Sequence, residues 1–230
     1  MNFNALFSHV GILMTVKLAL SEGMSCFLSL SQVLGYSLDA LFGVSTQCTK
    51  GIWVMADFKQ HLHTDKFSLI QTKRSHFEPL HQVASDPLIW EQHPAQDRWR
   101  LEIFSAFFEE GLSNDLGCFT IVDSQPQDVI GSTRFYAHDP QNASVRLGYT
   151  FLSRNYWGTG ANALIKTALL DHSFQYVESI YFDIGETNWR SIKATEKLGA
   201  VFCQKAEEGK SEYLLSRAAF LSRRPSLVSV

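Results

Sequence analysis

Cysteine is scarce in this 230-residue chain, and the four present, Cys26, Cys48, Cys118 and Cys203, form no C-x-x-C pair. That spacing supports neither a disulfide framework nor a zinc knuckle. It suits a reducing compartment, with each thiol a small buried apolar residue. A basic surplus is lacking too. The formal net charge is −3, which argues against a general nucleic-acid or anionic-membrane binder. Long apolar runs are missing. Lys17 and Ser21-Glu22-Gly23 break the early stretches Val10 to Val16 and Cys26 to Leu30, so none reaches the roughly 18 residues of a membrane span. A basic n-region and a clear cleavage site, the marks of a signal peptide, are also absent. No internal repeat or low-complexity tract occurs.

What is present suits a packed core: 45% of the residues are hydrophobic and 19% charged. The length accommodates one domain of ordinary size plus an extension. Residues 1–54 carry only Lys17, Glu22, Asp39 and Lys50 as charges. They read as an extension outside the fold, either a peripheral appendage or an over-extended start for which Met55 is the alternative. Residues 55–220 read as the folded domain and 221–230 as a frayed tail. Phe67 to Thr72 alternates as a strand, and Arg74 to Ala84 has helical spacing. Asp86 to Pro94 is a proline-bounded loop carrying Trp90, Glu91 and His93. Gln96 to Leu112 predicts a helix in which Trp99, Ile103 and Phe107 fall at i, i+4 and i+8, widened by Phe104 and Phe108. Cys118 to Val122 and Val129 to Ala137 form a hairpin, and Ser144 to Ser153 a further strand. A helix over Ala161 to Val177 follows, then a strand at Tyr181 to Gly185. The last helix starts at an Asn188 cap and stops at Gly199, before strands at Val201 to Ala206 and Tyr213 to Leu215. This order is an α/β mix on a single central sheet. His61-x-His63 places two imidazoles on one side of an extended segment, but no third or fourth ligand stands at a recognisable spacing, and no metal site is expected.

The most informative stretch is Arg154-Asn155-Tyr156-Trp157-Gly158-Thr159-Gly160-Ala161-Asn162, between a strand and a helix. The first amides of a helix have no intrahelical partner, and the macrodipole makes that end positive. Gly158 and Gly160 allow positive φ and close backbone approach. The stretch is therefore either an anion cradle for a phosphate or pyrophosphate or a tight turn with no ligand. It lacks the Gly-Lys-Ser/Thr ending of a P-loop and the three-glycine spacing of a dinucleotide fingerprint.

Gly158-x-Gly160, with Asn188-x-x-Ser191 and Glu196-Lys197-Leu198-Gly199 downstream, resembles the acetyl-CoA-binding half of the GNAT superfamily of N-acetyltransferases. Within it the pattern is similar to the branch containing the ribosomal-protein N-terminal acetyltransferases. The resemblance runs from about Phe67 to Leu215 and is strongest from Ile130 to Ala200. It implies a mixed α/β fold: a single, mostly antiparallel sheet of about seven strands, splayed at the fourth and fifth, flanked by about four helices. It implies acetyl-CoA as co-substrate, no metal, and a primary amine as acceptor, on a small molecule or a protein N-terminus. The pyrophosphate would lie against the backbone of Asn155, Tyr156, Trp157, Gly158, Thr159, Gly160, Ala161 and Asn162. Arg154 either adds a charge-assisted contact or serves as an exposed ion-pair residue. The pantetheine arm would pair with Phe151, Leu152 and Ser153, where an N–H can donate to the thioester oxygen. Asn188 either bonds the pantetheine amide or caps its helix.

The resemblance also shows departures. Where much of the family has Gln or Arg three residues before the first glycine, this chain has Asn155. Where many relatives have a fourth-strand carboxylate as base, it has Arg146, leaving Glu91 and Glu186 as candidate bases. Thr195 stands where many relatives place a tyrosine that protonates the leaving thiolate. Ser191 matches the ribosomal-protein branch and can donate to the sulfur instead. Trp90, Arg134, Tyr136 and Tyr149 are the candidate acceptor contacts, and cationic residues there would suit an acceptor bearing a carboxylate. The expectation is a cytoplasmic monomer or homodimer with no nucleic-acid or membrane partner. The alternative is a non-catalytic CoA-binding or regulatory module.

Overall fold

The computed structural model describes residues 46–49, 52–206 and 209–228. The early apolar runs, Cys26 and the Glu207-Glu208 turn lie outside them. The chain divides into two units, Met1–Met55 and Ala56–Val230. In the first, β1 (Thr46–Thr49) and β2 (Ile52–Met55) pair antiparallel, with Thr46 opposite Met55.

The second unit is built on eight strands. Five precede the strand-loop-helix stretch: β3 (Leu62–His63), β4 (Phe67–Gln71), β5 (Cys118–Asp123), β6 (Val129–Asp139) and β7 (Ser144–Leu152). Three follow it: β8 (Ser179–Gly185), β9 (Val201–Lys205) and β10 (Lys210–Ser216). Their order is β3-β4-β5-β6-β7-β8-β10-β9. The eighth strand beyond the expected seven is the two-residue β3, which pairs Leu62 with Leu69. Five α-helices flank the sheet: α1 (Phe77–Ala84), α2 (Leu101–Leu112), α3 (Ala161–Ser173), α4 (Trp189–Lys197) and α5 (Arg217–Val228). All neighbouring strands are antiparallel except β7 and β8. Those two are joined through α3, the crossover that a parallel pair requires.

Strand alternation sorts the residues onto two faces. One face buries Phe119, Ile121, Phe135, Val145, Leu147, Ile180, Phe182, Ile184, Tyr213 and Leu215 with Ile165, Leu169 and Leu170 of α3 and Phe220 of α5. On the other face, a second core joins Leu80 and Ala84 of α1, Phe104, Phe107 and Phe108 of α2, Trp90 and Phe151.

Cys203 is exposed rather than buried, and two expectations about the elements change. Gln96–Trp99 is a separate 3-10 turn, and Arg100, extended at φ −75 and ψ 138, starts α2 only at Leu101. Trp99 therefore leaves the helical register and Ile103 is exposed, so the buried face is Phe104, Phe107, Phe108 and Gly111. From Phe220 to Val228 the chain continues α5 rather than fraying, and the buried Phe220 ring packs 5.3 Å from Phe174.

The sheet parts at one place. β7 and β8 pair only through Ser144–Ser179, Val145–Ile180 and Arg146–Tyr181. Beyond that, β7 stays with β6 and β8 stays with β10. Against β6, two steps from Ser132 to Arg134 match three steps from Phe151 to Gly148. The extra residue is a bulge, and Tyr149 within it has φ 53, left-handed for a residue with a side chain.

Candidate functional site

The parted strands open toward the glycine stretch. After Leu152 the chain makes a 3-10 turn, Arg154–Tyr156, and reaches α3 through Gly158 (φ 76) and Gly160 (φ 85). Gly160 is the N-cap residue and has no side chain to cap α3. A Cβ on Gly158 would meet nothing within 4 Å. Its glycine is therefore required by conformation, and the space in front of it is open. Tyr156 ties the loop down, donating its hydroxyl to Asp123 Oδ2 at 2.7 Å. Thr159 Oγ1 donates to the Tyr156 carbonyl and accepts from the Ala161 amide at 3.4 Å. Asn155, Trp157, Gly158 and Thr159 are exposed, and Asn162 is half-buried at the start of α3. Arg154 pairs with Asp86 at the head of the 86–94 loop.

Along β7, Phe151 opposes Ser132 and the Ser153 amide donates to the Ile130 carbonyl at 2.7 Å. Alternation therefore turns the Leu152 amide and carbonyl toward the opening, and the carbonyl accepts from Trp157 Nε1 at 3.1 Å. The Arg190 guanidinium lies 4.0 Å above that indole ring.

The opposite wall is the start of α4. Asn188 Oδ1 accepts from the Ser191 amide at 3.2 Å, the N-cap geometry. The Ser191 hydroxyl has no hydrogen-bond partner among the described residues. Thr195 is buried one turn further on. The 86–94 loop leans on this wall. Gln92 Oε1 accepts from the Arg190 amide at 3.2 Å. Pro94 stands so close to Gly185 that a Cβ there would come within 2.6 Å of its Cγ. Glu91 is exposed on that loop and faces the Arg190 charge. Glu186, just past β8, pairs with Lys205 at 3.2 Å. Trp90 points inward: it is 2% exposed and donates its indole N–H to the Ala84 carbonyl at 2.7 Å.

Between the strands, Tyr136 and Arg146 meet partners that strand spacing alone did not single out. Tyr136 reaches across Gly148 and donates its hydroxyl to Asp183 Oδ2 at 2.8 Å. Burial, then the Asp183 charge, raises the Tyr136 pKa well above the ordinary phenol range. Arg146 bridges Asp183 and Glu212, each at 2.5 Å. Burial works against its charge, but the bonds to Glu212 and Asp183 outweigh it and the pKa is raised. On the other face, Lys166 Nζ donates to Thr150 Oγ1 of β7 at 2.7 Å and lies 5.8 Å from the Phe182 ring of β8. Burial pulls its pKa down to about 7. Asp183 is an ordinary outward position in its strand, and Lys166 occupies a core position of α3. The sequence signal for Lys166 was a charge at a place the pattern assigns to packing; Asp183 gave none.

A third group flanks the bulge. The Arg134 guanidinium carbon is 3.6 Å from the Tyr149 ring centroid and 5.1 Å from that of Phe107. Arg98 lies 4.4 Å from Phe107 and 5.2 Å from Trp90. Burial, then the Arg134 charge, lowers the Arg98 pKa to about 10. His93 is edge-on to Trp90 at 5.6 Å, and burial followed by the Arg98 charge lowers its pKa to about 4. Its Nδ1 accepts from the Ala95 amide at 2.9 Å, so the ring proton of the neutral form sits on Nε2, which faces Arg98 Nη1 at 3.3 Å.

An open mixed sheet that parts beside its parallel pair and feeds a glycine turn into a helix start is the architecture of an acetyltransferase. The model of the acetyltransferase (GNAT) domain matches residues 66–201, over half of the chain, and the chain belongs to that family. Among curated proteins it is similar to the uncharacterized N-acetyltransferase p20 of Bacillus licheniformis, 27% identical over 120 residues. That match covers 49% of this chain and 65% of the relative. The fold is similar to a GCN5-related N-acetyltransferase from Brucella melitensis, with a TM-score of 0.66 and 11% identity, covering 81% of this chain and 88% of that one. It is also similar to the spermidine N-acetyltransferase from Vibrio cholerae solved with CoA and spermine. There the TM-score is 0.56 at 15% identity, covering 69% of this chain and 99% of that one. Among the described residues no helix is long and apolar enough to cross a membrane, and no group of three or more His, Cys, Asp or Glu is placed to hold a metal ion.

Proposed function

We propose that this protein transfers the acetyl group of acetyl-CoA to a primary amine, by direct attack in a ternary complex. The observation that carries this reading is the parting of β7 and β8 after Arg146–Tyr181, continuous with the positive-φ glycine turn and the uncapped start of α3. The first-turn amides and helix dipole suit the pyrophosphate. The Leu152 edge of β7 suits the pantetheine arm, which would add to it as a strand does. The acceptor amine, freed of its ammonium proton, attacks the thioester carbonyl; the carbon–sulfur bond breaks, the nitrogen sheds one further proton as it becomes the amide, and that proton balances the one the leaving thiolate takes up. Ser191, with its hydroxyl unclaimed on the α4 wall, is the group we assign to protonate the sulfur, as the likeness to the ribosomal-protein N-terminal acetyltransferase branch suggests. Glu91, Glu186 and Asp183 are the carboxylates near the opening. Asp183 is already engaged by Arg146 and Tyr136, and Glu186 by Lys205, so Glu91 is the carboxylate freest to take the ammonium proton. Holding both reactants in line supplies much of the rate by itself. The acceptor is a small-molecule amine or a protein N-terminus, and the protein acts in the cytoplasm as a monomer or homodimer through residues 55–220.

The test is free-thiol release from acetyl-CoA against pools of amino acids, polyamines, antibiotics and N-terminal peptides. Release should depend on one pool and disappear in Gly160→Glu, which strains a left-handed residue and sets a carboxylate against the phosphates. Tight CoA binding with no release in any pool would instead support the non-catalytic module. That reading draws on Arg146, which stands where many relatives carry a base.

A further inference from the structure

Three of the arginines near the opening, Arg98, Arg134 and Arg146, are matched very differently. Arg146 has two carboxylates, Asp183 and Glu212. Arg134 is 2% exposed, and its one ion-pair partner, Glu110, is 60% exposed. The 3.1 Å approach of Glu110 to Arg134 Nη2 lies off the N–H direction, so neither Nε nor Nη2 of Arg134 has a hydrogen-bond acceptor. Arg98 faces the same Phe107 ring as Arg134. Among the described residues no carboxylate lies within ion-pair distance of Arg98, and the His93 ring 3.3 Å from its Nη1 is neutral and brings no negative charge. Two guanidinium groups with aromatic walls from Trp90, Phe107 and Tyr149 thus share one exposed carboxylate. The ring faces recover part of the desolvation cost. They leave Nε and Nη2 of Arg134 without acceptors, and a guanidinium fork of that kind fits a carboxylate. A buried donor without an acceptor is costly enough to need a reason.

We propose that Arg98 and Arg134 form the receptor for an anionic group on the acceptor, a carboxylate, so that the substrate is an amino acid or another amino carboxylate. This rests on the acetyl-transfer reading and names the acceptor class for it. The place fits. Arg134 stacks on Tyr149, the bulge residue beside the parting of the strands, and Tyr149 meets Tyr136 at 5.0 Å, which in turn binds Asp183 on β8. A carboxylate held by the pair therefore leaves the amine at the mouth of the opening. Arg98 is half-buried and gives access from solvent. The same charges repel a polyamine, so similarity of fold to a spermidine N-acetyltransferase does not bring its acceptor with it.

The experiment uses the full chain saturated with CoA. Calorimetry follows the binding of free α- and ω-amino acids, their carboxamides and spermidine, and thiol release from acetyl-CoA is measured with the same compounds. At least one acid should bind, and be acetylated, about tenfold or more better than its amide, with spermidine inactive. Arg134→Met removes a buried anchor and tests folding more than binding. The decisive variant is therefore Arg98→Met, which should bring acid and amide to near equality while leaving CoA affinity unchanged; Arg98→Lys should restore part of the preference. Amides or spermidine bound as well as the acids, or no acid bound at all, would overturn the proposal. Acids that bind through Arg98 but are never acetylated would leave the anion receptor standing and remove the transferase reading. Acetylation indifferent to the carboxylate would do the reverse.

Discussion

Lys166 lies on α3 between Ile165 and Thr167, where the helical pattern calls for a core side chain. It is buried, and Thr150 is its hydrogen-bond partner. Its pKa of about 7 in the fold, below the usual 10.5, makes stability depend on pH in a definite direction. Between about pH 7 and 10.5 the unfolded chain keeps a proton that the folded chain gives up, so this side chain penalises folding less as pH rises. Below about pH 7 both states are protonated and the whole penalty is present. Lys166→Met, close in length and uncharged, should therefore raise Tm by about 4 °C or more at pH 6.5, with the gain shrinking toward pH 9.5. Paired melting curves at the two pH values check this, and a gain that is constant or grows with pH would rule out the buried charge as its cause. Single residues also mark the limit of sequence reading. Trp90, Arg134, Tyr136 and Tyr149 could be picked out by type, but their facing could not. Trp90 faces inward, Arg134 joins Arg98 in the aromatic group, and Tyr136 joins Asp183.

At the scale of elements, the opening depends on β6 staying tight against β7 while β8 leaves. Gly131 of β6 lies opposite Leu152, and a Cβ there would come within 2.0 Å of the Phe151 carbonyl oxygen. Backbone cannot yield as a side-chain tip can. Gly131→Ala should lower unfolding stability by about 2 kcal/mol or more, read as a shift of the urea midpoint at constant slope. A loss below about 0.5 kcal/mol would mean that the two strands are not held at this separation. The strands, α3 and the Asn188 cap were legible because apolar alternation, glycine punctuation and cap chemistry are local. The start of α2 was not. The sequence offers a continuous helical stripe from Trp99, and only the extended Arg100 backbone breaks it. Arg98 goes to the aromatic group with the preceding turn, so the same break that spoils the periodicity places a guanidinium beside Phe107.

On the scale of the whole molecule, Ala56–Val230 carries the sheet, both cores and every residue of the candidate site. A chain beginning at Met55 should bind CoA with the affinity of the full chain, within a factor of about two, equal to roughly 0.4 kcal/mol. Isothermal titration of both forms checks this, and a tenfold loss would show that the first unit contributes to the site. The sequence alone determined the strand-loop-helix order, the glycine turn and hence the family, because these depend on backbone conformation and on residues adjacent in the chain. The tertiary structure decided which charges are neutralised and which are not. Arg146 finds Asp183 and Glu212 from strands 37 and 66 residues downstream, whereas Arg134 of β6 and Arg98 of the 96–99 turn reach the same Phe107 ring. Electrostatics falls off with distance in space and takes no account of separation along the chain, so only folding could show where positive charge is left to receive a ligand.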